Sequence, residues 1–211
     1  MEDIYIFGSG GFAREVFYLI QDIGNYQFKA FVEKKTSTNS LSLSDNNYPV
    51  ISEDEFSDIC NIDGNMNAAI AIACPSIVSS IIANFKHICR FPNLIHPSAK
   101  FFSELTIGIG NIVTWNCFFS DNISIGSFNR FNIGNIVGHD VVIGDNNQFN
   151  PSCNISGNVT IANCNIFGVN AVVLQGIQIG SANIIGASSL VLRKISDGGT
   201  YFGIPAKKMI F

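Results

Sequence analysis

The sequence predicts two folds in series: an α/β, Rossmann-like module over residues 1–90, then an all-β parallel β-helix of hexapeptide repeats over residues 91–211 with a C-terminal tail. Two observations predict this. One is a glycine turn set between a short apolar segment and an amphipathic one near the N-terminus. The other is a hydrophobic period of six that never slips across the C-terminal half.

In chain order, IYIFGSGGFAREVFYLIQDIG reads as a strand, a turn at Gly8, Gly10 and Gly11, and an amphipathic helix through Val16, Leu19 and Ile20. A second strand, FKAFVEKK, ends near Glu33, about 20 residues beyond the glycines, where a Rossmann-like unit places an acidic residue for a ribose or base hydrogen bond. Helix N-terminal amides after the glycines are available to an anion. Gly8, Gly10 and Ala13 satisfy G-x-G-x-x-A, yet a unit ending near Arg90 is too small for a full dinucleotide domain. The segment STNSLSLSDNNYPV at 37–50 reads as a polar loop, AAIAIACPSIVSSIIANF as strand, turn and helix, and FPNLIHPSA as a connector. His96 in that connector reads as a packing or capping residue and His87 as a surface residue.

From Ile95, steps of six reach Phe101, Ile107, Val113, Phe119, Ile125, Phe131, Val137, Ile143, Phe149, Ile155, Ile161, Phe167, Val173, Ile179, Ile185 and Val191; the next, Asp197, ends the run. Neither a helical period of 3.6 nor a strand period of 2 singles out every sixth residue, so short strands joined by tight turns must stack into coils. The following residue is often glycine (Gly108, Gly126, Gly138, Gly144, Gly168, Gly180, Gly186), which suits turns that demand unusual backbone angles. Such a solenoid serves catalysis or merely presents a surface, and the Phe-rich interior fits either.

Composition narrows the field. With 12 Lys+Arg against 16 Asp+Glu and only 13% charged residues, a basic nucleic-acid-binding surface is not expected. Mean hydropathy is +0.29, but the longest apolar run, AAIAIAC, is far short of the roughly 20 residues that cross a bilayer. The opening MEDIYIFGSG lacks a charged n-region and cleavage site, which predicts a cytoplasmic protein. Six cysteines, Cys60, Cys74, Cys89, Cys117, Cys153 and Cys164, form no C-x-x-C pair and read as free buried thiols, with no metal site expected.

The hexapeptide pattern resembles that of the left-handed β-helix acyltransferases, whose triangular coils of three hexads imply 18 residues per coil. Ile107, Ile125, Ile143, Ile161 and Ile179 keep that spacing, giving about five coils. The order GSGGFAREV, small α/β module, LIHPSA, coils and YFGIPAKKM resembles, over essentially the whole chain, the nucleotide-4-amino-sugar N-acetyltransferases and their sialic acid O-acetyltransferase-like relatives (PglD/NeuD-type). The resemblance implies an acetyl-CoA-dependent N-acetyltransferase acting on the amino group of a nucleotide-linked 4-amino-dideoxy sugar, in surface polysaccharide biosynthesis. It implies a homotrimer with the CoA in a groove between subunits.

Residue roles follow from the same resemblance. The family's general base is a histidine followed by an acidic residue; VGHDVVIG supplies His139 and Asp140, with Asp for the commoner Glu. An imidazole with pKa near ~6.5 accepts a proton near neutrality, and a carboxylate fixes its tautomer. Two residues past inward Val137, His139 points out of the prism. Gly157 matches the glycine whose N–H holds the thioester oxygen, Asn132 a residue contacting the acceptor sugar, and Val169 and Ala187 positions whose backbone touches CoA. Lys207 and Lys208 are set to meet the CoA phosphates or to form a solvated tail. Gly10, Gly11 and Glu33 would hold a UDP-, dTDP- or GDP-linked sugar. Spacing by 18 places Asp121 beside His139. The chain departs from the family at Phe12 and Gln148, where some members carry histidines. Two other readings stand: O-acetylation of a sialic-acid-like sugar, and a non-catalytic nucleotide-binding solenoid.

Overall fold

A computed structural model describes residues 1–36, 40–64 and 66–210. Its contacts divide the chain into Met1–Leu94 and Ile95–Phe211.

The first unit is a doubly wound α/β module: β1 (Glu2–Phe7), α1 (Gly11–Ile23), β2 (Tyr26–Glu33), β3 (Ser40–Leu43), β4 (Asn46–Ser52), α2 (Glu53–Asp63), β5 (Met66–Ile70), α3 (Pro75–Phe85) and β6 (Cys89–Arg90). The sheet order is β3-β4-β2-β1-β5-β6, parallel throughout except that β3 runs antiparallel to β4. Each helix start has a local cause. Gly10 caps α1, Ser52 and Glu55 form a reciprocal capping box on α2, and Pro75 occupies the first turn of α3. Gly24 ends α1 in the left-handed conformation, at φ 75°. Phe17 of α1 packs against Phe28, Phe31 and Tyr48, while Phe56 and Phe85 of α2 and α3 pack against Phe7.

The polar loop expected over 37–50 is instead a hairpin over 40–52, residues 37–39 lying outside the described residues. Tyr48 explains the difference. Its ring centroid is 4.6 Å from that of Phe17 and 5.7 Å from that of Phe28, and β4 pairs in parallel with β2. Tertiary packing thus overrides a polar composition that lacks strand propensity.

The second unit is a left-handed parallel β-helix. Two-residue strands stack into three sheets. One runs from Leu94–Ile95 through Ile112–Val113, Arg130–Phe131, Gln148–Phe149 and Ile166–Phe167 to Ile184–Ile185. The second runs from Lys100–Phe101 to Leu190–Val191 and the third from Thr106–Ile107 to Gln178–Ile179. Partners are 18 residues apart, as Ile125 against Ile143 and Val137 against Ile155. The residues stepped by six form the core from Val113 to Val191, with Phe131, Phe149 and Phe167 stacked at 4.7 Å centroid spacing. The period does not simply end at Asp197. The last coil is two residues shorter, so that Ile195 pairs with Ile179 and Thr200 with Ile184.

Every sixth residue from Gly110 to Ser188 is left-handed, mostly Asn or Gly but including Phe128, Asp140, Cys164 and Ala182. Beside this, an unbroken ladder of fully buried asparagines, Asn111, Asn129, Asn147, Asn165 and Asn183, climbs the coils. The Oδ1 of each of the first four accepts the backbone N–H and the Nδ2 of the asparagine 18 residues later, as in Asn165 N to Asn147 Oδ1 at 2.9 Å and Nδ2 at 3.0 Å, and Asn183 Oδ1 closes the ladder by accepting from Gly199 N at 2.8 Å. No described helix is long and apolar enough to cross a membrane.

The thiols are free, but two are not core residues as expected. Cys74 is exposed at the cap of α3, and Cys164 is half-buried because it occupies a left-handed turn position rather than an inward one. Burial pushes the Cys153 thiol up to about 12 and Cys117 to about 11, so neither is a nucleophile near neutrality.

Candidate active site

Val137 fills the core and the chain then turns outward through Gly138, His139 and left-handed Asp140. That turn carries His139 to the surface with its side chain 54% exposed. Nδ1 lies 2.8 Å from Asp140 Oδ2, and Asn122, one coil back, donates from Nδ2 to Asp140 Oδ1 at 2.6 Å. The bonds from His139 and Asn122 hold the Asp140 carboxyl below the usual carboxylate range. In the tautomer that donates Nδ1–H to Asp140, Nε2 is the acceptor nitrogen and lies on the side of the ring away from the carboxylate.

On the other side of the ring is Gly157. A Cβ built there would stand 2.5 Å from His139 Nε2 and 2.6 Å from Cε1, so the imidazole occupies the space that any side chain at 157 would need. Gly138 makes this approach possible, since a Cβ on it would meet the Gly157 nitrogen at 2.6 Å. Gly157 is buried, and its N–H has no acceptor among the described residues, whereas its carbonyl accepts from Gly176 N at 3.0 Å. Buried backbone donors without acceptors are rare.

The corner that begins at Ile109 contrasts with this one. There each turn N–H is taken by a side chain from the next coil: Ser127 N by Asp145 at 2.7 Å, Asp145 N by Asn163 at 2.7 Å, Ser181 N by Asp197 at 2.6 Å. His139 and Gly157 supply no such acceptor to their corner.

Asp121, expected beside His139, gives only its carbonyl, which accepts from Asp140 N at 3.0 Å. The residue that reaches the pair is Asn122, which sequence reasoning missed although it lies 18 residues before Asp140. Asn132 is half-buried, and its Oδ1 accepts from Ile133 N at 2.7 Å while its carbonyl accepts from the Asn135 amide. Gln148 is buried and accepts from Arg130 Nε at 2.9 Å, so it is spent on structure. His96 is likewise structural: Nδ1 accepts from Ser98 N at 3.0 Å and the ring lies against Trp115.

Val169 and Ala187 lie one above the other at an exposed corner, where Ser188 N donates to Val169 O at 2.7 Å. A Cβ on Gly168 would meet Ala187 N at 2.4 Å, so this corner too needs close backbone approach. Lys207 is exposed on a two-residue strand paired to Thr200–Phe202 and lines a cavity of about 350 Å³ with Arg193, Lys194 and Tyr201. Arg193 and Lys194, adjacent in LRKI just before the period breaks, complete a set of three cations that sequence reasoning did not assemble.

In the first unit, Glu33 Oε1 accepts from Ser9 Oγ at 2.6 Å, which ties the end of β2 to the glycine turn. Glu33 lines a cavity of about 450 Å³ with Lys34, Glu53, Ile72, Ile77 and Asn84. Gly10 and Gly11 do not line it. Gly11 borders a different hollow, with Arg14 and Ser42, and a Cβ on Gly10 would meet nothing within 4 Å. Among the described residues no group of histidine, cysteine and carboxylate side chains could hold a metal ion.

A small α/β unit followed by a left-handed β-helix with an outward His–Asp pair over a glycine defines a hexapeptide acyltransferase architecture. Residues 3–85 match the PglD N-terminal domain family. Among solved structures, the chain is similar to PerB from Caulobacter crescentus in complex with CoA and GDP-perosamine, at 25% identity and TM-score 0.87, covering 99% of this chain and 98% of that one. WeeI from Acinetobacter baumannii AYE matches at 26% identity and TM-score 0.86, over 99% and 100%. The acetyltransferase domain of PglB from Neisseria gonorrhoeae FA1090 in complex with acetyl coenzyme A shares the fold, at 24% identity, TM-score 0.86 and 99% coverage of both chains. No curated protein sequence matches the chain. The chain has the two-part architecture of PglD/NeuD-type sugar acetyltransferases.

Proposed function

We propose that the chain is an acetyl-CoA-dependent N-acetyltransferase acting on the amino group of a nucleotide-linked 4-amino-dideoxy sugar, by direct transfer with His139 as general base. The observation that carries the reading is the imidazole held by Asp140 through Nδ1 and laid over a glycine whose buried N–H has no acceptor among the described residues. PerB, of the same architecture, is described with CoA and GDP-perosamine bound, and the PglB domain with acetyl coenzyme A.

The chemistry follows from that arrangement. The acceptor amine attacks the thioester carbon as Nε2 takes its proton, and Asp140 steadies the imidazolium. The Gly157 N–H, oriented before the reaction, receives the developing oxyanion. Collapse breaks the carbon–sulfur bond, the thiolate leaves, and the imidazolium returns the proton to sulfur. No acyl-enzyme is required, in keeping with the raised pKa values of the buried cysteines. Asn132 positions the acceptor sugar, the Val169 and Ala187 backbone takes the pantetheine arm, and Lys207 with Arg193 and Lys194 faces the CoA phosphates. The first unit holds the nucleotide, with Glu33 on its cavity and Gly10 and Gly11 at the start of α1. Ile133, Ile136, Val142, Val169 and Leu174 are exposed aliphatics on the coils and support a homotrimer. We place the protein in the cytoplasm, where nucleotide sugars and acetyl-CoA coexist.

The test is CoA-thiol release from acetyl-CoA over UDP-, dTDP- and GDP-linked 4-amino sugars, with 4-hydroxy sugars and sialic-type sugars as controls. Turnover with an amino sugar, lost in His139→Ala, is expected. Turnover only with a hydroxyl sugar, giving a hydroxylamine-labile ester, would instead identify an O-acetyltransferase. Silence throughout would leave a nucleotide-binding solenoid.

A further inference from the structure

The Glu33-lined cavity of the first unit lies where parallel α/β sheets take their ligands, at the carboxyl ends of the strands. Phe7 closes β1, Glu33 closes β2, Glu53 follows β4 and Ile72 follows β5; Ser76, Ile77, Ser80, Ile81 and Asn84 come from one face of α3. Phe7, Ile72, Ile77 and Ile81 give it apolar walls suited to a flat ring, and Ile77 stays 49% exposed.

Its polar groups are unequally employed. Glu33 already accepts from Ser9, and Glu55, which does not line the cavity, is spent on the α2 capping box. Glu53, half-buried on the cavity wall, has no hydrogen bond or ion pair among the described residues. Burial raises its pKa, opposed by Lys34 and reinforced by Asp54 and Glu33. A carboxylate in that setting is relieved by a ligand that brings hydrogen-bond donors to it.

We propose that this cavity selects a guanine nucleotide, with the Glu53 carboxylate reading the base; the proposal rests on the reading of the first unit as the nucleotide site. Guanine alone among the common bases offers two adjacent donors, N1–H and N2–H₂, which a carboxylate accepts together. Uracil and thymine offer one N–H between two carbonyl oxygens, which a carboxylate repels. Adenine and cytosine set a single donor beside an acceptor nitrogen. Selectivity therefore comes from repulsion of the wrong bases as much as from attraction of the right one. Glu33, beside the glycine turn, takes the ribose hydroxyls, while Lys34, Ser80 and Asn84 supply donors for guanine O6 and N7.

Calorimetric titration of the full chain with GDP, IDP, UDP, dTDP, ADP and GDP-mannose tests this. GDP and GDP-mannose are expected to bind about tenfold or more tightly than UDP, dTDP or ADP, and IDP, which lacks the 2-amino group, to fall between. Glu53→Gln keeps the Ser52–Glu55 cap and is expected to weaken GDP about tenfold, erase the gap between GDP and IDP, and leave UDP within twofold. Glu33→Gln should weaken every nucleotide alike. If UDP or dTDP equals GDP, or if Glu53→Gln weakens all nucleotides equally, the base reading is overturned while the nucleotide site stands. Absence of binding by any nucleotide at millimolar concentration would overturn the nucleotide reading itself.

Discussion

The contact between His139 and Gly157 makes Gly157→Ala the most informative single change. A methyl at 157 would lie 2.5 Å from Nε2 and 2.6 Å from Cε1, where unstrained contacts run to about 3.5 Å. The overlap of about 1 Å falls on the edge of the ring that accepts the proton. Gly157 is not in the left-handed region, so alanine adds no backbone strain, and the ring is a half-exposed side chain that can swing outward. An off-rotamer imidazole costs about 0.5–1.5 kcal/mol, or a fall in Tm of a few degrees for a chain of this size. Catalysis suffers more, because a displacement of about 1 Å costs about a hundredfold in rate. The N–H at 157 survives, which isolates ring placement from oxyanion binding. Steady-state CoA release with the identified acceptor should show kcat down about a hundredfold, with Tm lower by no more than a few degrees. Wild-type kcat in Gly157→Ala would refute the placement of His139 over Gly157 as the catalytic arrangement. Gly138→Ala supplies the contrast: its methyl would meet the Gly157 nitrogen and Ser156 carbonyl carbon, at 2.6 and 2.8 Å, so it should lower Tm by opening the coils.

Other consequences are as definite. His139→Ala should lose about 10²–10⁴-fold in kcat while its circular dichroism melt overlays that of the wild type, since a half-exposed side chain contributes little packing. Asp140 has a depressed carboxyl pKa when folded, so its contribution to stability is present above the unfolded carboxylate value of about 3.9 and lost as the pH falls through the lower folded value. Carbon NMR should find its midpoint below that of a model aspartate, and Asn122→Ala, which deletes the 2.6 Å donor, should move it upward. Asn147→Ala strands the Asn165 N–H and Nδ2 and is expected to cost about 2–4 kcal/mol in urea denaturation, with no special effect on KM. Ellman's reagent should label exposed Cys74 quickly and leave Cys117 and Cys153 unreacted until the chain unfolds.

The coils were readable because each inward residue recurs every sixth position and each stacked partner every eighteenth, so a period alone places Val137 and Ile155 in the core. The asparagine ladder obeys the same spacing and could have been read from Asn111, Asn129, Asn147, Asn165 and Asn183 alone. What the period could not give is anything that depends on a turn side chain choosing between neighbours. Asp121 and Asn122 are adjacent, and only the left-handed turn at Asp140 decides that Asn122 reaches its carboxylate while Asp121 gives a carbonyl. In the first unit the hairpin around Tyr48 was invisible because its stability is tertiary, an aromatic packed on Phe17 and Phe28 rather than a local preference. The cations Arg193, Lys194 and Lys207 meet only because the last coil is two residues short and the tail turns back on Thr200–Phe202.

The same spacing explains why chemistry settles at one corner of a nearly symmetric prism. A turn N–H in a stack of coils needs an acceptor, and along the corner from Ile109 to Ser181 that acceptor is a serine, aspartate or asparagine one coil on. Such a ladder is stable and closed to ligands. At the corner of Asp121, His139 and Gly157 the next residue up is an imidazole and then a glycine, neither of which caps the N–H beneath it. Dropping those bonds forgoes stability. Gln175, one coil above Gly157, does not cap the Gly157 N–H among the described residues either, so a buried donor stays open beside a base whose other nitrogen is committed to a carboxylate. A single exchange therefore separates a structural corner from a reactive one, and Gly157→Ser measures it: the hydroxyl should occupy the His139 side of the corner and abolish CoA release. Retention of turnover by Gly157→Ser would mean that the placement of the ring over residue 157 is incidental to the reaction.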